Sequence, residues 1–197
     1  MIYNEDTINA IKDIMVGKEE TIAVAESVTA GHLQAAFSAG IEASKFFQGG
    51  ITAYNLGQKA RHLNVDPVLS NKVNCVAEKI ADTMAIEVSK MFLSDYGVGI
   101  TGYASIVPEC EEEGIFAFYS LSYKKKLLKT DELPALRSIL TKYRLTMQNR
   151  LLNSFIRYSQ LKLNNYSEYF YILSKSHKRK LKRLFIEQPF FTFFDIN

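Results

Sequence analysis

Tryptophan is absent from this sequence of 197 residues, and cysteine and histidine are scarce, with two and three residues respectively. The cysteines, Cys75 and Cys110, stand far apart and form neither a metal-ligand spacing nor a disulfide framework, so a reducing cytoplasm is the expected compartment. The histidines also lack neighbours at ligand spacing, and they are His32, His62 and His177. The sequence therefore predicts no metal site.

Long hydrophobic runs are missing as well. No apolar stretch approaches the ~20 residues that cross a bilayer, and the first six residues lack the basic and then apolar order of a secretory signal. We therefore expect no membrane partner. The composition, with 47% hydrophobic and 23% charged residues, excludes a disordered or collagen-like chain. The length is sufficient for a core that needs no disulfide or metal.

Charge of both signs is present but unevenly placed. The net charge is +3, and residues 175–197 hold six basic and two acidic residues, which leaves the preceding part of the chain close to neutral. The basic cluster over 174–183 has two interpretations: contacts to nucleic-acid phosphates, or a solvated helix face beside an anchoring aromatic segment. The second is favoured, because charge runs are usually solvated. The aromatic end, 190–194, predicts a subunit interface or packing onto the domain.

Apolar periodicity predicts strands that alternate with helices. The strands are predicted at 21–25, 49–54, 98–101 and 115–123. The helices are predicted at 5–16, 32–39, 71–93 and 131–162, the last with a break near Tyr143, and 64–69 is predicted as a turn. This order predicts an α/β domain with helices on both faces of a mostly parallel sheet. We place the domain at 1–163 and a basic, aromatic appendage at 164–197.

A polar segment, Glu26-Ser27-Val28-Thr29-Ala30-Gly31, joins the first strand to the second helix. One interpretation is a helix cap, in which Ser27 or Thr29 accepts a hydrogen bond from a free helix N–H. The other is a nucleophile or anion-binding loop, because the same N–H groups can hold a phosphate or an oxyanion. The serine alone does not decide between the two, since a nucleophile needs a base.

A candidate base follows the second strand, in Tyr54-Asn55-Leu56-Gly57-Gln58-Lys59. The carboxyl ends of parallel strands share one edge of a sheet, so Tyr54 and Lys59 could lie beside Ser27. A desolvated lysine has a lowered pKa, and its neutral amine can accept a serine proton, as in Ser–Lys pairs. The alternative is that Tyr54 packs at the edge of the strand and Lys59 is a solvated charge. Spacing alone leaves this alternative open and favours it.

Five motifs in register resemble one protein family. The run from Ala23 to Gly31 resembles the AESCTGG opening of the competence/damage-inducible CinA carboxyl-terminal domain family, the nicotinamide-nucleotide amidohydrolases. Gly49 to Tyr54 with Lys59 is similar to that family's GGIVAYSNEAK. The other three are Leu63-Asn64-Val65 for LGV, the segment 75–81 for the AVSEEVA helix start, and 98–102 for the AVTG strand and loop.

The resemblance implies a three-layer α/β/α sandwich and hydrolysis of the amide of nicotinamide mononucleotide, which gives the nicotinate form and ammonia. It implies that Ser27 is the nucleophile and that Tyr54 and Lys59 assist in transferring its proton, without a metal or other cofactor. It also implies a nucleotide substrate and a homo-oligomer. The substrate contacts that it implies are Glu26, Thr29, Ala30, Gly31, Gly50, Thr101, Gly102 and Ser105.

The chain departs from the family pattern at several of these positions. Val28 replaces the cysteine and Ala30 the first glycine of SCTGG, and Ala77 replaces the serine of AVS. The segment 103–113, glycine-rich in the family, contains no glycine here and holds four glutamates. Glycine permits positive φ and close N–H contact with phosphate. Two functions therefore stay open: an amidohydrolase with an altered pocket, or a family member that binds a ligand or partner without turnover.

Overall fold

The computed structural model describes residues 3–105, 114–134 and 150–157. Apart from Arg157, they belong to one compact unit, Met1–Ile156. Three groups of predictions lie outside the described residues. The first is the appendage 164–197, with its basic and aromatic clusters and the domain boundary at 163. The others are the altered loop over 106–113, with its glutamates, and the predicted helix over 135–149 and 158–162. No helix of the described ranges is long and apolar enough to cross a membrane.

Five strands form one sheet, in the order β2-β1-β3-β4-β5. They are β1 (Ile22–Glu26), β2 (Phe47–Thr52), β3 (Tyr96–Gly102), β4 (Phe116–Tyr123) and β5 (Lys126–Pro134). The pairings of β1 with β2 and with β3 are parallel, and those of β3 with β4 and of β4 with β5 are antiparallel. The α/β class is confirmed. β1 lies between its two parallel neighbours, β2 and β3, and Ser27 directly follows β1.

Helices cover both faces of this sheet. They are α1 (Glu5–Gly17), α2 (His32–Ser38), α3 (Leu56–Leu63), α4 (Pro67–Lys72) and α5 (Glu78–Met91), with a helical segment over 150–157. The alternating side chains of β1 divide the core, because successive residues of a strand point to opposite faces. Ile22 and Val24 pack in a cluster with α1, α2 and 150–157, whereas Ala23 and Ala25 pack with α3 and α5. The result is the expected arrangement of three layers.

Two glycines of β3 allow α5 to lie close to the sheet. A Cβ on Gly97 would come within 1.9 Å of the Ala85 carbonyl oxygen, and one on Gly99 within 2.3 Å of the Ala81 carbonyl oxygen. Any side chain at these positions would therefore push α5 away. The other face of β3 carries large buried residues, Tyr96, Val98 and Ile100. The glycines thus place α5, and the loop that precedes it, against the carboxyl end of β3.

Several predicted elements differ from the structure. The helix predicted from residue 131 is wrong at its start, because residues 126–134 form β5. A two-residue turn, Lys124-Lys125, joins β4 to β5 with φ values of 48° and 64°. Asn-Gly is the usual signal for such a turn, and this sequence lacks it there. In addition, α3 is absent from the predicted elements, α4 occupies the second half of the predicted turn at 64–69, and α5 begins at Glu78 rather than at residue 71.

Candidate active site

A cavity of about 440 Å³ opens at the carboxyl ends of β1 and β3. Ser27 enters it from the residue after β1, and Thr101 and Gly102 enter it from the end of β3. The remaining wall comes from α3, α4 and the loop before α5. Ligands of open α/β sheets bind outside the carboxyl ends of the strands. The described lining residues are Ser27, Val28, Tyr54, Asn55, Leu56, Lys59, Ser70, Asn71, Asn74, Cys75, Val76, Thr101, Gly102, Tyr103 and Ala104.

Ser27 and Lys59 meet inside this cavity. The Lys59 Nζ donates a hydrogen bond to the Ser27 Oγ at 2.8 Å and a second to the backbone oxygen of Tyr54 at 3.0 Å. Lys59 is only 1% exposed and Ser27 is 6% exposed. The Asn55 side chain caps α3 by accepting from the Gln58 N–H, which fixes the first turn of the helix that carries Lys59. The lysine is therefore a positioned, buried group and not a solvated charge.

Burial lowers the pKa of Lys59, an effect that the nearby Cys75 partly opposes. Within the described part of the chain, no carboxylate forms an ion pair with the Lys59 amine that would hold it in the ammonium form. The Tyr54 carbonyl can only accept a hydrogen bond, so it holds the amine by one of its N–H groups. When the amine is neutral, its lone pair is available to the serine hydroxyl. This arrangement suits proton transfer from Ser27.

Tyr54 takes part through its backbone. Its carbonyl oxygen holds the Lys59 amine, while its side chain lines the cavity and is 66% exposed. The role predicted for the tyrosine in proton transfer stays a prediction, because the described contact is made by the carbonyl.

Glu26 caps α2 and does not line the cavity. Its buried carboxylate accepts hydrogen bonds from the backbone N–H groups of Gly31, Leu33 and Gln34 at 2.9–3.1 Å. These are the donors that the sequence offers to a phosphate or an oxyanion, and in the structure a carboxylate of the chain itself receives them. Such a cap is stable because α2 presents free N–H groups and a positive dipole end there.

The other predicted substrate contacts divide into two sets. Thr101 and Gly102 line the cavity, and the Thr101 hydroxyl donates to the Cys75 carbonyl at 2.8 Å. The described lining does not include Thr29, Ala30, Gly31, Gly50 or Ser105. Thr29 is fully buried, its hydroxyl has no partner among the described residues, and Ser105 is exposed. Gly50 allows β2 to pack closely against β1, because a Cβ at this position would lie 2.6 Å from the Val24 carbonyl oxygen.

The structure adds polar residues that the sequence did not single out. Asn55, Ser70, Asn71 and Asn74 line the cavity together with Cys75. For the residues of 70–75, the only sequence signal is a polar composition, which the sequence pattern assigns to the start of the helix predicted from residue 71. No group of three or more His, Cys, Asp or Glu side chains comes together within the described ranges.

We expect Glu26→Gln to destabilise the fold by roughly 3 kcal/mol, because a hydrogen bond to a charged group contributes about 1.5–3 kcal/mol and an amide cannot accept all three N–H groups. Urea denaturation would measure the change. Glu78→Gln is the matched control: this glutamate also lies near a helix N-terminus, in the first turn of α5, but it is exposed, and its loss should cost under about 1 kcal/mol. Equal losses in the two variants would contradict the capping role.

We expect Ala30→Gly to stabilise the fold by about 1 kcal/mol. Ala30 is exposed and has a φ of 50°, in the left-handed region that costs an L-residue roughly 1–2 kcal/mol and glycine much less. Thermal denaturation would measure the gain as a higher Tm. Ala39→Gly provides the comparison, since Ala39 is also exposed but has a φ of −78°; a lower or unchanged Tm is expected there. A destabilised Ala30→Gly variant would contradict this account.

Comparisons with known proteins agree on one family. The model of the CinA C-terminal domain matches residues 4–115. A CinA-like protein of Prochlorococcus marinus is 39% identical over 102 residues, and a competence-damage inducible protein of Natranaerobius thermophilus is 36% identical over 112 residues. These matches cover 51% and 57% of this chain but only 24% and 26% of the relatives, so the chain matches about a quarter of their length.

A solved structure shows the same fold. The crystal structure of competence damage-inducible protein A from Klebsiella pneumoniae superposes with a TM-score of 0.72 at 17% identity, covering 79% of this chain and 96% of that one. The sequence match, the five-stranded sheet and this fold agree. This chain belongs to the CinA C-terminal domain family.

Proposed function

We propose that the protein is an amidohydrolase that converts nicotinamide mononucleotide to nicotinate mononucleotide and ammonia. The observation that carries the proposal is the 2.8 Å contact between the Lys59 amine and the Ser27 hydroxyl in a cavity of nucleotide size. An amide is a poor electrophile, and a serine needs a base to attack it. A buried lysine with a lowered pKa is a base that works near neutral pH.

In the first half of the reaction, the neutral Lys59 amine takes the Ser27 proton as the Ser27 Oγ bonds to the carboxamide carbon. The carbonyl electron pair moves to the oxygen and gives a tetrahedral intermediate. When it collapses, the C–N bond breaks, and the Lys59 ammonium returns its proton to the leaving nitrogen, which departs as ammonia. The products of this half are a nicotinoyl ester of Ser27 and a neutral lysine.

In the second half, water attacks the ester carbon and Lys59 accepts the proton of that water. The C–O bond to Ser27 then breaks, and the Ser27 oxygen recovers a proton from Lys59. In each half of the reaction, Lys59 accepts one proton and later returns it. The protons therefore balance without a metal ion. Tyr54 orients Lys59 through its carbonyl, and Thr101 and Gly102 line the cavity in which the substrate would bind.

A second candidate function is ligand binding without turnover. It is favoured by Glu26, which occupies N–H groups of α2 that could otherwise hold a phosphate. The glycine-free segment 103–113 favours it as well.

One experiment separates these functions. The purified protein is incubated with nicotinamide mononucleotide while ammonia is assayed and the nucleotide product is identified by mass. Ammonia and nicotinate mononucleotide in equal amounts are expected for the amidohydrolase. Binding of the nucleotide by calorimetry, with no ammonia released, would instead establish the second function.

A further inference from the structure

The wall of the cavity formed by Ser70, Asn71, Asn74 and Cys75 has no part in the proposed proton transfers. It consists of the end of α4 and the turn before α5, and we call it the α4 wall. Its side chains are hydroxyl, amide and thiol groups, without a charged residue. Lys59 is the one cationic side chain of the described lining, and its amine already donates to Ser27 and Tyr54. The α4 wall therefore suits an uncharged, polar part of a ligand.

Ser70 has a buried hydroxyl without a partner among the described residues, and the residue is 1% exposed. Helical Ser and Thr side chains normally bond to a carbonyl three or four residues earlier. Thr83 and Ser89 do so in this protein, with Lys79 and Ile86. Ser70 does not, although it lies in a helix. Leaving a buried hydroxyl unpaired costs free energy, and Ser70, unlike Thr29, lines the cavity, so a ligand there can supply the missing partner.

The turn that completes this wall is held in a fixed shape. Asn74 and Cys75 have φ values of 45° and 61°, so two successive residues adopt the left-handed conformation. This turns the chain back, and the Cys75 N–H donates to the Ser70 carbonyl at 2.8 Å. On the other side the Cys75 carbonyl accepts from Thr101, at the end of β3. The wall is thus tied to both α4 and the sheet, and its polar groups are positioned before any ligand binds.

We propose that Ser70, with Asn71 and Asn74, binds the sugar hydroxyl groups of the substrate. A sugar hydroxyl both donates and accepts, and so do a serine hydroxyl and an amide, so each can pair fully with the other. This inference rests on the proposed function, in which the amide reacts at Ser27 and the rest of a nucleotide must occupy the remaining cavity. The residues of the α4 wall are then specificity-determining residues for the ribose.

The test measures binding, in a Ser27→Ala background that blocks the proposed turnover. Calorimetry gives the Kd of nicotinamide mononucleotide and of its 2′-deoxy and 3′-deoxy ribose analogues. We expect one of the deoxy analogues to bind about 3–10-fold more weakly, which is the effect of one lost hydrogen bond. Adding Ser70→Ala should reduce this discrimination to less than about twofold, because the partner of the missing hydroxyl is then absent.

Two further variants exclude a structural explanation. Asn74→Gly removes the amide and keeps the left-handed turn, which glycine tolerates, and it should also weaken discrimination. Ser89→Ala removes a buried serine of α5 whose hydroxyl is satisfied within its own helix, and it should leave discrimination unchanged. Ser70→Ala should not lower the Tm, because the hydroxyl that it removes has no described protein partner.

The outcomes are distinct from those of the activity assay. Equal Kd values for the nucleotide and both deoxy analogues, or a discrimination that survives Ser70→Ala, would overturn the proposal even if ammonia is released. Absence of nucleotide binding would overturn it as well. Discrimination that depends on Ser70 in a protein that releases no ammonia would instead support the sugar site and reject the hydrolase.

Discussion

Replacing Ser27 by alanine is expected to abolish ammonia release from nicotinamide mononucleotide, with kcat lowered by roughly 10³-fold or more. The substitution removes the atom that forms the ester with the substrate, and the loss of a nucleophile is among the largest single effects in serine hydrolases. Substrate binding should change much less, because the rest of the cavity remains. The measurement is steady-state ammonia release, together with the Kd of the nucleotide by calorimetry.

Ser94→Ala is the matched control for this prediction. Ser94 is also 6% exposed, and its hydroxyl also makes a buried hydrogen bond, to the Tyr96 carbonyl, but it does not line the cavity. Ser94→Ala should therefore keep the wild-type kcat if the protein stays folded. Ammonia release by Ser27→Ala at the wild-type rate would contradict the assignment of the nucleophile, and equal losses in both variants would indicate a folding effect.

The central part of the site could be predicted from local sequence. Ser27 and Lys59 each follow a recognisable parallel strand, and parallel strands end at one edge of a sheet. The two residues are 32 positions apart, and the strand order β2-β1 brings them together. The strand pattern therefore predicts that both residues lie at the same edge of the sheet, but it does not predict the 2.8 Å contact. The burial of Lys59 is not predictable in this way, because the pattern does not reveal α3 and spacing alone favours a solvated lysine.

The cap on α2 illustrates what local sequence could not show. Helix caps are recognised from a residue that bonds two or three positions ahead. Glu26 is five to eight positions from the N–H groups that it accepts, and it lies at the end of a strand. Its geometry depends on how β1 meets α2, which periodicity does not encode. The same holds for β5, whose pairing with β4 depends on a Lys-Lys turn without a sequence signature.

Replacing Lys59 by methionine is expected to lower kcat by about 10²–10⁴-fold, the usual contribution of a general base. Lys59→Arg should be equally inactive although it keeps a positive charge, because a guanidinium stays protonated and cannot accept the serine proton. In the wild type, kcat should rise about tenfold per pH unit until it passes the lowered pKa of Lys59, and then level off. Initial rates of ammonia release from pH 6 to 10 would measure this profile.

Stability gives an independent measurement of the same group. Burial lowers the pKa of Lys59 below its ordinary value of 10.5. Between the folded and unfolded pKa values, the unfolded chain binds a proton that the folded protein does not, so the free energy of unfolding rises with pH. Below the folded pKa both states are protonated and the contribution is constant. The difference in unfolding free energy between wild type and Lys59→Met should therefore grow in favour of wild type as the pH approaches 10.5.

Both measurements must show the ionisation of Lys59 for the lysine to be the base. The pH at which kcat levels off and the pH at which the stability difference begins to rise both report the ionisation of Lys59, the first with bound substrate and the second without. The uncharged carboxamide of a bound substrate, packed against the amine, excludes water and should move the kinetic value lower, because it buries the amine further. A pH-independent stability difference, or an active Lys59→Arg variant, would show that the amine stays charged and that Ser27 takes its base from elsewhere.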